Sequence, residues 1–108
     1  MIKLDYTEFP NSIVTSDGYL AWRVSDLPVV MQSVIAKQWI VLGGDILTVQ
    51  GNDTHDSWFY DPIPSISLSE NIHKSIVVTM DYVIKYINTN GTDFLFSLVL
   101  SDAFISGK

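Results

Sequence analysis

The sequence predicts an α+β fold in which two helices pack on a small mixed β-sheet. Three segments indicate this fold: an apolar, strand-like run over Trp39–Val49, an amphipathic helical pattern over Ile72–Ile87, and a nearly continuous apolar run over Phe94–Leu100. The chain has 108 residues, 47% of them hydrophobic, and no cysteine. That length can bury a core without disulfides, so we predict a single layered domain over residues 1–108.

The first part of the chain contains turn signals before the first predicted helix. A turn is expected at Asp17-Gly18, and Tyr19–Val24 is either an edge strand or a lead-in to that helix. Ser25 and Asp26 are both favourable N-cap residues, and Pro28 suits a first helical turn. We therefore predict a helix from about Leu27 to Lys37, followed by a strand beginning at Trp39.

Gly43, Gly44 and Asp45 interrupt the strand-like run and form the predicted structural motif. Two consecutive glycines in a strand pattern indicate a bulge, a kink, or a place where a bulky neighbour lies against the backbone. We expect Trp58 to be that neighbour, because glycines leave room for a large ring. A phosphate-binding loop is disfavoured, because a second strand-like run rather than a helix follows the glycines.

An aromatic strand follows a polar segment in the middle of the chain. Gln50–Asp56 is predicted to be a loop, since its Gly, Asn and Asp residues favour turns, and Ser57–Asp61 is predicted to be a short strand. Trp58 and Tyr60 alternate with Phe59, so one set faces the core and the other faces solvent. An outward aromatic beside acidic residues suits a protein interface.

The second predicted helix is capped by Ser69, with Glu70 in its first turn complementing the helix dipole. Its apolar residues step by three or four positions and form the predicted buried stripe of Ile72, Ile76, Met80, Val83 and Ile87, widened by Val77 and Ile84. Asn90-Gly91 is expected to end the helix. The last strand then lies within Asp93–Asp102, and the residues after it should fray.

The charge distribution disfavours nucleic acid as a ligand. The formal net charge is −6, and the six basic residues are scattered rather than arranged in a stripe. No Lys or Arg occurs from Gln38 through His73, a stretch that we call the acidic segment because it contains Asp45, Asp53, Asp56, Asp61 and Glu70. Such a surface either serves solubility or steers in a basic partner.

The sequence gives no indication of a membrane partner. Its first twelve residues lack the basic-then-apolar layout of a signal peptide, and no run approaches the roughly 18 to 20 apolar residues of a membrane span. We therefore expect a cytoplasmic protein.

His55 is the residue that most invites a catalytic or metal-binding interpretation. It lies between Asp53 and Asp56, and one imidazole with two carboxylates can bind a divalent metal, although a zinc site requires better-spaced ligands. An acid–base pair could also be drawn from His55, His73 and a nearby carboxylate. The sequence shows no cysteine and no Gly-X-Ser-X-Gly nucleophile motif. We predict a protein that is not an enzyme, with no catalytic residue, no metal and no cofactor.

Several motifs together resemble a family of bacterial immunity proteins, the immunity protein 40-like family. These proteins are encoded beside polymorphic toxins, including those of contact-dependent growth inhibition. The shared sequence motifs are LGGDIL at Leu42–Leu47, DSWFYDP at Asp56–Pro62, a Ser-Glu helix start, YVIKYI at Tyr82–Ile87 and, in the last strand, FLFSLVLSD. The resemblance covers roughly Leu20 to Asp102. The segment PIPSISLS separates the tryptophan strand from the Ser-Glu helix start by more residues than is usual in the family. The shape of this loop is therefore expected to depart from the family's.

The resemblance implies a non-catalytic inhibitor that binds the C-terminal domain of its cognate toxin and blocks the active site. Many such toxins are nucleases, whose phosphate-binding surfaces are basic, and an acidic inhibitor is their electrostatic complement. The residues expected to bind the partner are Asp53, Asp56, Tyr60, Asp61 and Glu70. The alternatives that remain open are an acidic protein-binding or assembly module without a toxin partner, and a small hydrolase that uses His55 and Asp carboxylates.

Overall fold

The computed structural model describes residues 11–15 and 20–102, the last two by their backbone. The elements in chain order are β1 (Ile13–Val14), β2 (Leu20–Arg23), a 3₁₀ turn (Val24–Asp26), α1 (Leu27–Lys37), β3 (Trp39–Thr48), β4 (Asp53–Phe59), α2 (Leu68–Asn90) and β5 (Phe94–Asp102). The α+β prediction with two helices is confirmed for this part of the chain. The predictions for the Asp17-Gly18 turn and for the tail after Asp102 lie outside the described residues.

The five described strands form one sheet in the order β1-β2-β5-β3-β4, and every neighbouring pair is antiparallel. The prediction of a mixed sheet is therefore wrong. β2 and β3 run in the same direction on either side of α1, as a helical crossover allows, but β5 lies between them and pairs antiparallel with both. The insertion of the last strand is a long-range event that no local pattern encodes. β2 is thus an interior strand rather than the edge strand considered above.

α1 has the predicted bounds of Leu27 to Lys37. Asp26 occupies the N-cap position, but its side chain accepts a hydrogen bond from the Asn11 amide instead of capping the helix. A proline lies in the first turn, as expected. The helix ends at Gln38, whose left-handed conformation (φ 58°) turns the chain directly into β3.

α2 begins at Leu68, and its cap is Ser67 rather than the predicted Ser69. The Ser67 hydroxyl accepts from the Glu70 N–H at 3.1 Å, and a Glu70 carboxylate oxygen accepts from the Ser67 N–H at 3.2 Å. This reciprocal capping box satisfies two backbone donors that a helix start would otherwise leave unpaired. Glu70 therefore has a structural role at the helix start. At the other end the Gly91 N–H donates to the Ile87 carbonyl.

The buried side of α2 contains polar residues as well as apolar ones, namely Asn71, Ile72, Ser75, Thr79 and Val83. Ser75 accepts from the Val41 N–H of β3, and Thr79 accepts from the indole N–H of Trp58. Val77 and Ile84, expected to widen the buried stripe, are 52% and 48% exposed. Hydrogen bonds to the sheet thus set the rotation of the helix, which apolar periodicity alone does not reveal.

The Gly43-Gly44 pair lies within one continuous strand and forms the predicted bulge. The register of β3 against β5 shifts between Val41 and Gly43, and Gly43 has a φ of +149°. A Cβ on Gly44 would overlap the Trp58 ring and the Ser97 carbonyl oxygen. The expectation that Trp58 packs on these glycines is confirmed, because Gly44 lies opposite Trp58 in the sheet.

Both helices pack on the same face of the sheet. The main core there contains α1 residues such as Val30 and Val34, Val83 of α2, and strand residues such as Trp22 and Phe96. A smaller cluster of Ala21, Leu47 and Leu95, with Ile13 against it, lies on the face away from the helices, which we call the second face. Within the described ranges, no helix combines the length and apolar character needed to span a bilayer.

Candidate functional site

β4 is an edge strand of the described sheet and carries two of the five predicted partner-binding residues, Asp53 and Asp56. It pairs with β3 on one side and is the last strand in the sheet order. The prediction of a loop over Gln50–Asp56 is wrong after residue 52, because β4 begins at Asp53. The turn is shorter: the Gly51 N–H donates to the Thr48 carbonyl, and the Thr48 N–H donates to the Asn52 carbonyl. Asp53 and Asp56 consequently lie on a strand.

β4 contains a bulge centred on His55. Asp45 pairs with Ser57 and Leu47 pairs with Asp53, so three residues of β4 lie opposite Ile46 alone. His55 has a φ of +68°, which is uncommon for a residue with a side chain. Three local bonds hold the bulge. The Thr54 hydroxyl donates to the Ile46 carbonyl at 2.7 Å, the His55 N–H donates to an Asp53 carboxylate oxygen at 2.7 Å, and the Asp56 N–H donates to the Thr54 hydroxyl at 3.2 Å.

The bulge presents Asp53, His55 and Asp56 to solvent at the sheet edge. The His55 imidazole lies 3.9 Å from the Asp53 carboxylate, and both side chains are largely exposed. Asp56 accepts a 2.9 Å hydrogen bond from the Tyr86 hydroxyl of α2. The strand thus holds two carboxylates in defined positions, and the strand itself contains no Lys or Arg.

A row of stacked aromatic rings packs against the helix side of this edge strand. Trp58 stacks on Tyr82 at a centroid distance of 5.4 Å, and Tyr82 stacks on Tyr86 at 6.2 Å. Burial raises the pKa of Tyr86 above its usual value, and the hydrogen bond to Asp56 raises it further, while the Thr54 hydroxyl lowers it. Burial, followed by the Asp56 charge, likewise raises the pKa of Tyr82. Both tyrosines therefore stay protonated at neutral pH, and Tyr86 can donate its proton to the hydrogen bond with Asp56.

Tyr60 was expected at the partner surface, but the structure buries it. Its hydroxyl donates to the Asn71 side-chain oxygen at 2.6 Å, and Asn71 also holds the backbone of Ile63 through both its oxygen and its amide. Burial raises the pKa of Tyr60. Tyr60 lies with Ile40 and Ile72 in a small core cluster, so it ties β4 to α2 instead of contacting solvent.

Phe59 is the outward aromatic of β4 and was not in the predicted set. Its side chain is 76% exposed, whereas that of Trp58 is 6% exposed. Gly43 lies between Phe59 of β4 and Val99 of β5 in the sheet, and Val99 is 49% exposed on the same second face. The strict alternation of strand side chains identifies Phe59 once Trp58 is placed against the glycines.

The other acidic residues are dispersed around this edge. Asp61 is exposed two residues after β4, and Asp45 is half-buried on β3 beside Ser57. Glu70 is exposed but belongs to the capping box of α2. The structure therefore brings Asp53 and Asp56 together on β4 with Asp61 following, and assigns Tyr60 and Glu70 structural contacts.

The two histidines lie at different places. His73 is on α2, 13 residues before Tyr86, which corresponds to about 20 Å of helix, while His55 is beside the Asp56 that bonds Tyr86. An acid–base pair of His55 and His73 is not assembled. In the described part of the chain no three His, Asp or Glu side chains are grouped in a way that could hold a metal ion.

A groove of about 520 Å³ lies between the end of α1 and the start of α2. Ile35, Leu68 and Ile72 supply apolar lining, and His73 borders it. It contains no carboxylate and lies apart from the bulge of β4, so it does not belong to the acidic surface predicted from the sequence.

The family model of Immunity protein 40 matches residues 13–100, and the chain belongs to that family. Comparison with curated proteins and with solved structures finds no match. Membership indicates a role in toxin neutralisation with a cognate toxin as the partner, and immunity proteins generally act without catalysis.

Proposed function

We propose that the protein neutralises a basic toxin, a nuclease acting in the cytoplasm, by covering its active site with the acidic surface of β4 and the residues that follow it. The observation that carries the proposal is the position of Asp53 and Asp56 on an edge strand, within a stretch from Gln38 to His73 that contains no Lys or Arg. Membership of an immunity protein family supports a toxin as the partner.

The electrostatic argument predicts a kinetic signature. An acidic surface that approaches basic, phosphate-binding residues raises the association rate at low salt. Exposed charges at the rim of an interface act mainly on that rate. Asp53, Asp56 and Asp61 are exposed, so they should act in this way. Their removal should slow association and flatten its dependence on ionic strength while leaving the fold intact.

The test uses the C-terminal domain of the toxin encoded beside this protein. We expect the two proteins to co-purify and the wild-type protein to rescue cells that express the toxin. Association rates are then measured against ionic strength for Asp53→Asn/Asp56→Asn and for a control, Asp26→Asn/Asp81→Asn, which changes the net charge equally away from β4. Equal slopes for the two double variants would show that the binding surface lies elsewhere.

A further inference from the structure

We propose that the outer edge of β4 at Ser57–Phe59 binds an extended basic segment of the toxin as an added antiparallel strand. This inference rests on the proposed function, because it requires a toxin partner. The added strand would place an apolar side chain beside Phe59 and a Lys or Arg beside Asp56.

Within the described part of the chain, the backbone of β4 has unpaired hydrogen-bonding groups in this stretch. The Tyr60 N–H donates to the Leu42 carbonyl at 2.8 Å, which makes that pair a hydrogen-bonded pair of the antiparallel ladder. Hydrogen-bonded and non-bonded pairs alternate, so Trp58 also bonds to β3, opposite Gly44. The N–H and C=O groups of Ser57 and Phe59 therefore point away from β3, toward the outer edge.

The outer edge of β4 is protected against strand addition before Ser57 but is unprotected at Ser57–Phe59. Bulges and charged side chains are devices that prevent strands from adding to a sheet edge. The bulge at His55 and the carboxylates of Asp53 and Asp56 protect the first half of β4. Ser57–Phe59 is regular, exposed at Ser57 and Phe59, and ends in an aromatic ring that is 76% exposed.

The side chains around this edge favour a basic and partly apolar occupant. Phe59 lies on the second face next to Gly43 and Val99, so an apolar side chain added beside it gains a cross-strand contact. Asp56 lies on the helix side, where it accepts from Tyr86. A matching segment would carry its basic residue about three positions from its apolar residue, on the other face of the added strand.

A second copy of this chain fits the same edge poorly. Each copy has a formal net charge of −6. Edge-to-edge pairing of two copies would concentrate Asp53, Asp56 and Asp61 from both along one short interface, and juxtaposed like charges oppose association. Charge complementarity therefore selects a basic partner strand over self-association.

The first experiment uses the wild-type protein and measures amide hydrogen exchange with and without the purified toxin domain. The Ser57 and Phe59 amides, which point outward, should become about tenfold or more better protected in the complex. The Trp58 amide already bonds to β3 and serves as the internal control, with little change. Unchanged exchange at Ser57 and Phe59 in a saturated complex would overturn strand addition.

The second experiment removes one outward donor. Proline is tolerated in an edge strand where its missing N–H would face solvent, so Ser57→Pro should fold and bind the toxin roughly tenfold more weakly than wild type. Ser57→Ala keeps the N–H and should bind normally. Equal affinities for these two variants would contradict the proposal, and if Ser57→Pro does not fold, the exchange measurement decides alone.

The outcomes separate this inference from the proposed function. Binding and rescue with unchanged exchange would overturn strand addition and leave toxin neutralisation intact. Absence of both binding and rescue would overturn the two together. Protection of the Ser57 and Phe59 amides in the free protein at high concentration, lost on dilution, would identify a second copy as the occupant and overturn the proposal.

Discussion

Trp58 and Phe59 are consecutive residues of one strand, and their side chains lie in different environments. Trp58 is 6% exposed, stacks on Tyr82, fills the space above Gly44 and donates its indole N–H to Thr79 at 3.0 Å. Phe59 is 76% exposed on the second face. One side of β4 thus holds the sheet to α2, while the other side and the outer edge are available to a partner.

The comparison teaches that alternation alone places consecutive aromatic residues of one strand in the core and at the surface. On the helix side three polar residues of α2 bind the sheet: Asn71 through Tyr60, Ser75 through the Val41 backbone, and Thr79 through Trp58. These hydrogen bonds fix the position of the edge strand. Less conformational entropy is therefore lost when a partner binds. The following predictions test how sharply the two sides differ.

The largest effect is expected at Gly43, whose added Cβ would overlap the Trp58 carbonyl oxygen. We expect Gly43→Ala to lower the free energy of unfolding by about 4 kcal/mol or more, since backbone atoms cannot move aside easily. Gly91→Ala is the matched control, because Gly91 also has positive φ (+91°) but nothing lies near its Cβ position. That variant should lose about 1 to 3 kcal/mol from backbone strain alone. Equal losses in denaturant titrations would show that conformation, not contact, requires glycine at position 43.

The second prediction compares the two aromatics directly. Trp58→Ala should lower the free energy of unfolding by about 3 to 5 kcal/mol, because it empties a packed site. Phe59→Ala should change stability by about 0.5 kcal/mol or less, as an exposed substitution does, yet weaken toxin binding. Denaturant unfolding and a binding titration on both variants test this. Unaltered affinity of Phe59→Ala would remove Phe59 from the binding surface.

A smaller effect is expected from the hydroxyl that holds Trp58. Thr79→Val leaves the indole N–H buried without its partner, which should cost about 1 to 3 kcal/mol. Val77→Thr, on the exposed side of the same helix, should change stability by no more than about 0.5 kcal/mol. Thermal or chemical unfolding of both variants gives the comparison. A neutral Thr79→Val would show that the Trp58 ring is held by packing alone.

Local periodicity predicts much of this fold. The bounds of α1, the glycine bulge, the contact of Trp58 with the glycines and the last strand all follow from patterns within about twenty residues. The antiparallel sheet was missed, because β5 enters between β2 and β3 from far along the chain. No short-range signal reports that insertion.

The candidate site was predicted less completely, for reasons that individual residues make clear. Polar residues gave a loop over Gln50–Asp56, whereas pairing with β3 extends the strand back to Asp53. Tyr60 was placed at the interface because an outward aromatic residue beside acidic residues suits one, but Asn71 binds its hydroxyl in the core. Ser67 and Ser69 are both suitable caps, and only the spacing to Glu70 distinguishes them, since the capping box requires an acid three residues on.

The last and smallest effect concerns Asp56, which connects β4 to α2 through its hydrogen bond with Tyr86. At neutral pH Asp56→Asn should change stability by about 1 kcal/mol or less, because the 2.9 Å hydrogen bond to the Tyr86 hydroxyl is exposed. Alkaline pH should reveal more. The pKa of Tyr86 is raised above 10.0 by burial first and then by Asp56, so its stabilising contribution is complete below about pH 10 and is lost as pH rises through the folded-state pKa.

Replacing Asp56 removes the second of these causes and leaves burial, so the Tyr86 pKa should fall part of the way toward its ordinary value. The alkaline loss of stability should therefore be shallower in Asp56→Asn than in wild type. The measurement is the free energy of unfolding at a series of pH values from neutral to strongly alkaline, with tyrosinate absorbance followed in parallel. Tyr86→Phe serves as the control, because it eliminates the Tyr86 titration and leaves those of the other four tyrosines, including Tyr82, whose pKa Asp56 also raises. An alkaline loss as deep in Asp56→Asn as in wild type would mean that burial alone sets the Tyr86 pKa, and that Asp56 is free of the helix and available entirely to the partner.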